Sequence, residues 1–70
     1  MINVTRMNGL MITVNTDLIQ SVEETPDTLL TFTSGQKLLV KESRQEVIEL
    51  IKSYKKEIMA AAFADAERGA

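Results

Sequence analysis

A chain of 70 residues with formal net charge −2, 44% hydrophobic and 26% charged, describes one small globular domain, residues 1–70. It has neither Cys nor His, which excludes disulfide or Cys/His–zinc staples and imidazole or thiol catalysis, while the balance of apolar and charged residues argues against disorder. A core of this size supplies only roughly 3–5 kcal/mol of net stability, so the packing must be very good or shared with a partner.

The first forty residues carry the period of strands. Ile2 and Val4 alternate with Asn3 and Thr5; Leu10, Ile12 and Val14 alternate with Met11 and Thr13. Between these runs Met7-Asn8-Gly9 holds the Asn-Gly pair that marks a hairpin. Asn15-Thr16-Asp17 predicts a turn. A third strand then runs from Leu18 to Glu23, with Leu18 and Val22 on one face and Ile19 on the other. Pro26-Asp27 predicts a tight turn, because proline sets φ at the first central position and aspartate can bond its own backbone. Thr28–Phe32 and Lys37–Lys41 are the fourth and fifth strands, joined by a turn at Ser34-Gly35. Connections this short make neighbouring strands antiparallel. The expectation is an α+β fold: a five-stranded antiparallel β-meander over residues 2–41, open or curled into a small barrel-like sheet, followed by one C-terminal α-helix.

The helix start is explicit. Ser43-Arg44-Gln45-Glu46 matches a capping box, in which serine and glutamate reciprocally satisfy two free backbone donors. Val47, Ile51, Tyr54 and Ile58 then recur at helical spacing, predicting a helix over about residues 44–60. Residues 61–70 either extend this helix or fray. No apolar run approaches the roughly 18 residues needed to span a bilayer, and no secretory signal pattern opens the chain. With Cys absent, a cytoplasmic protein is expected.

Chemistry-bearing clusters are few. Glu23, Glu24 and Asp27 could in principle hold a hard cation, but acidic turns are commonly just solvated. Asn8-Gly9 and Ser34-Gly35 are hairpin turns and not phosphate loops, which need a glycine-rich strand-to-helix connection with its lysine. Lys52, Lys55 and Lys56 make a basic helix surface with Glu49 and Glu57 interleaved. That favours a solvated, salt-bridged face over a nucleic-acid interface. Neither catalytic residue nor cofactor nor metal site is expected. Surplus hydrophobicity is more informative. Ile48, Met59 and Phe63 form a second apolar surface beside the Val47 stripe, and both faces of the sheet are partly apolar. One helix covers one face, so a partner is expected to cover the rest, most simply a second copy in a homo-oligomer.

Ile2, Thr5-Arg6, Asn8-Gly9, Asn15 and Asp17-Leu18-Ile19, followed by Glu23 and Thr25-Pro26-Asp27-Thr28, form a specific combination. Gly35, Lys37, Val40-Lys41-Glu42-Ser43 and Glu46-Val47 complete it. Over roughly residues 1–58 this pattern resembles the FlbD (SwrD-like) family of small flagellar proteins; the alanine-rich tail lies outside it. The resemblance implies a cytoplasmic, non-enzymatic accessory of flagellar motility, peripheral to the inner membrane at the motor. It would support swarming and motor power through the stator or other motor components, with no small-molecule substrate. Its shared positions include the turn and cap residues Asn8, Gly9, Pro26, Asp27, Gly35, Ser43 and Glu46. The alternative from another class is a small nucleic-acid-binding regulator of motility genes, which three lysines on one helix support only weakly.

Overall fold

The computed structural model describes the backbone of residues 1–69 and the side chains of residues 1–60. Strands β1 (Ile2–Thr5) and β2 (Met11–Val14) are followed by a 3-10 turn at Thr16–Leu18. Next come β3 (Ile19–Glu24), β4 (Thr28–Phe32) and β5 (Lys37–Val40), and helix α1 spans Arg44–Gly69. The α+β class and all five strands stand. Their expected union in one meander or barrel does not: β1–β2 and β3–β4–β5 are two separate antiparallel sheets, and the described residues close no barrel.

The connection after β2 explains the division. Asn15 Oδ1 accepts from Asp17 N–H (3.0 Å) and caps the 3-10 turn. Thr33 N–H then donates to the Leu18 carbonyl (2.8 Å), which ties the turn to the far end of β4. The chain therefore enters β3 beside β4 and does not return along β2. The two sheets meet instead at a short seam, where Arg6 bridges to Val40 and Lys41 N–H donates to the Thr5 carbonyl (2.8 Å).

A bulge in β3 produces a second departure. The register against β4 shifts between Ile19 and Ser21. Residues three apart in a regular strand face opposite sides, but an inserted residue reverses that parity. Ile19 and Val22 consequently both pack on the core. The expected partner of Val22, Leu18, sits in the 3-10 turn and is half exposed.

Both glycine turns use one device. Gly9 N–H donates to the Arg6 carbonyl while Arg6 N–H donates to that of Leu10; Gly35 with Phe32, and Phe32 with Gln36, repeat the pattern. Gly9 and Gly35 each have φ +90, and no non-glycine residue has positive φ among those described. Asn8 therefore does not form the two-residue Asn-Gly hairpin. The reversal is a longer loop closed by a left-handed glycine. Around Pro26 the turn sits where expected, but its bond runs from Thr25 N–H to the Asp27 carbonyl (3.2 Å) and the Thr25–Pro26 peptide is cis.

Ile2, Val4, Val14, Leu30, Val40 and Val47 form the buried core. They come from both sheets and from α1, which packs against β1 and β3. Along the helix stripe Val47 is fully buried and Ile51 and Tyr54 partly so, whereas Ile58 is 48% exposed. The helix is 26 residues, about 39 Å, long, and among its described side chains those packed on the core lie in the first three turns, Val47, Ile51 and Tyr54. Half of the expected capping box is present: Ser43 Oγ accepts from Glu46 N–H (3.1 Å). The other donor satisfied by a side chain is Arg44 N–H, bonded to Glu24 Oε1 (2.9 Å) from the end of β3. The helical backbone runs to Gly69. Ala70 lies outside the described residues.

Candidate interaction surfaces

Where the chain leaves β5 for the helix, Glu42 clamps the seam between the sheets. Its Oε1 accepts from Thr5 N–H (2.8 Å) and its Oε2 from the Thr5 hydroxyl (2.7 Å). Partial burial opposes ionisation of this carboxyl, but the two bonds from Thr5 and one from its own N–H outweigh it. The group is held below its ordinary value of 4.5. These bonds make it a tie between the two sheets.

Above this seam the separation of the sheets leaves a cleft of about 680 Å³ between β2 and the β4–β5 hairpin. Its floor is Ile12, Val14, Phe32 and Leu38, all members of the core or packed against it. The rim carries Arg6 and Lys37, with Asn15, Ser34 and Gln36 between them. Among the described residues no acidic side chain lines it, although the chain has ten acids to eight bases. Neither cation forms an ion pair with a carboxylate among the described residues. A smaller groove has the opposite sign: Glu42, Glu46 and Glu49 surround Leu50 near the start of α1.

The residues singled out for a partner surface all belong to α1. Ile48 is half-buried beside Val47, Met59 is 60% exposed, and the side chain of Phe63 lies outside the described residues. Leu50, not anticipated as part of that surface, is exposed together with Ile58. Of the turn and cap residues, Gly9, Gly35 and Ser43 have the roles just described, and Asn8 Oδ1 accepts from Leu10 N–H (3.0 Å). Pro26, Asp27 and Glu46 border one surface groove beside the helix start. Glu24 is committed to capping α1, and no set of three acidic side chains converges as a cation site among the described residues. On the helix back Lys52 lies 3.9 Å from Glu49, both side chains largely exposed; such a pair contributes only a few tenths of a kcal/mol. Within the described residues no helix is long and apolar enough to cross a membrane.

The cleft was not legible in the sequence, because its walls come from strands twenty residues apart that do not pair. The signal that could have pointed to it is the pair of cations, Arg6 and Lys37, each flanking a hairpin turn in an otherwise acidic first half.

A family model described as "FlbD: Flagellar and Swarming motility proteins" matches residues 1–59, which is most of the folded body and the first part of α1. Comparison with curated proteins and with solved structures finds no match.

Proposed function

The chain belongs to the FlbD family of flagellar and swarming motility proteins, and on that premise we propose that it is a non-enzymatic accessory of the flagellar motor. It works at the cytoplasmic face of the inner membrane and raises motor output by binding the stator units or another motor component. The family match over residues 1–59 carries the motility assignment. The surfaces of the molecule support action by contact: an apolar cleft opening on the core, and exposed Leu50, Ile58 and Met59 on a helix longer than the sheets it packs against. Self-association through the flank of α1 at Ile48, Met59 and Phe63, or through a sheet edge, completes the proposal.

The test is a pulldown with the tagged chain as bait from detergent-solubilised membranes, read for stator and motor-switch proteins. Enrichment of a stator component over an unfolded-variant control is the expected result. A folded bait that captures no motor component would overturn the contact mechanism.

A further inference from the structure

We infer that the cleft between β2 and the β4–β5 hairpin receives an extended, acidic segment of a partner protein, whose apolar side chains enter the cleft while its carboxylates meet Arg6 and Lys37. This deepens the proposed motility function and rests on it for the partner's setting, though the chemistry of the site stands by itself. Three observations select this occupant. The floor at Ile12, Val14, Phe32 and Leu38 is continuous with the core, so apolar groups entering it are removed from water on a surface already held rigid. Among the described residues the rim has two cations and no acid, in a chain whose net charge is negative, and neither cation is neutralised by a carboxylate there. A negatively charged partner is attracted to that rim, while a basic one gains nothing there. Finally, β5 has a strand neighbour along only one side. On its other side the described contact is the single bridge from Arg6 to Val40, which leaves Lys37–Leu39 without a partner strand. Lys37 and Leu38 of that stretch line the cleft. An unpaired edge offers backbone bonds to an extended chain and none to a helix.

Alternation suits such a ligand, because successive side chains of an extended segment face opposite ways. The probe is a labelled peptide of about eight residues, ~26 Å when extended, alternating leucine and glutamate. Its controls are the leucine–lysine and the serine–glutamate versions, with phosphatidylglycerol vesicles and single-stranded DNA as competing classes of ligand. Amide NMR shifts and fluorescence anisotropy follow binding to the full chain. The expected result is a Kd below about 1 mM for the leucine–glutamate peptide, shifts centred on Ile12, Lys37 and Leu38, and at least about tenfold weaker binding of both peptide controls. Arg6→Glu with Lys37→Glu, checked for unchanged circular dichroism and melting temperature, should weaken binding by at least about tenfold; if that pair disturbs the fold, Lys37→Gln alone should still weaken it several-fold. Equal binding of the lysine peptide, unchanged affinity in the folded variants, or vesicles or DNA shifting these residues when the acidic peptide does not, would each overturn the proposal. In cells, a folded Arg6→Glu, Lys37→Glu variant that swarms normally where the gene deletion does not would sink the cleft and leave the motility function standing. A deletion without effect would remove the motility function and leave the peptide result to be judged alone.

Discussion

Removing the Glu42 carboxylate should loosen the two sheets from each other. Both oxygens accept from Thr5, at 2.8 and 2.7 Å, across 37 residues of chain. A hydrogen bond to a charged acceptor contributes about 1.5–3 kcal/mol, but this site is only part-buried and water can re-solvate Thr5 in a variant. Glu42→Ala is therefore expected to cost about 1–2 kcal/mol. Thr5→Val keeps the N–H bond and removes only the hydroxyl, for a cost of about 0.5–1 kcal/mol. In the double variant that hydroxyl has no acceptor left to lose, so the costs should fall short of additive by about 0.5 kcal/mol or more. With net stability of roughly 3–5 kcal/mol for a core of this size, urea unfolding followed by circular dichroism resolves these differences. The clamp also sets a pH dependence. The folded protein keeps Glu42 ionised to lower pH than the unfolded chain does, so the unfolded state binds more protons. This contribution is complete above the ordinary value of 4.5 and disappears as pH falls below it through the folded value, and Glu42→Gln should flatten that part of the stability curve. Strictly additive single costs, with a pH profile identical in Glu42→Gln, would refute the clamp.

Leu30 is fully buried at the centre of the core, so Leu30→Ala should cost about 3–5 kcal/mol and leave much of the protein unfolded at 37 °C. Leu39→Ala on the half-exposed outer face should cost less than about 1 kcal/mol; similar urea midpoints for the two would contradict the assigned core. The Thr16 hydroxyl is buried without a hydrogen-bond partner among the described residues, and Thr16→Val keeps its shape, so that variant should raise stability by about 0.5–1 kcal/mol. A loss in thermal melts would mean the hydroxyl has a partner in solution. Light scattering at micromolar concentration should give a multiple of the 7.8 kDa chain mass, shifted towards one chain by Met59→Lys with Phe63→Asp. A wild-type mass of one chain would refute self-association and leave the helix flank to another partner.

What local pattern governs, the sequence shows well: five strands, the turns at Gly9 and Gly35, and a helix start at Ser43 that appears within a residue of its expected place. What it hides are choices between distant edges. The period of two in Leu18–Val22 is real, but whether a strand carries a bulge depends on the strand opposite, and the register slip at Ile19 reverses the faces read from alternation. The division into two sheets follows from Thr33 binding the Leu18 carbonyl, a contact between turns fifteen residues apart. Likewise Ser43 and Glu46 satisfy the letter of a capping box, yet Glu24 takes up Arg44 N–H from another element. The cleft is a consequence of that same division, so a reading that joined all five strands had no room for it. On the flank of α1 proposed as a partner surface, Met59 is exposed and Ile48 is partly covered beside the buried Val47.

The most direct measurement is made in the bacterium that carries the gene. Delete it, count flagella by microscopy, and record the torque of single motors with tethered beads, with a plasmid-borne copy as the rescue. The account predicts normal flagellar number, lowered torque and lost swarming, all restored by the copy. Wild-type torque and swarming in the deletion strain would contradict it.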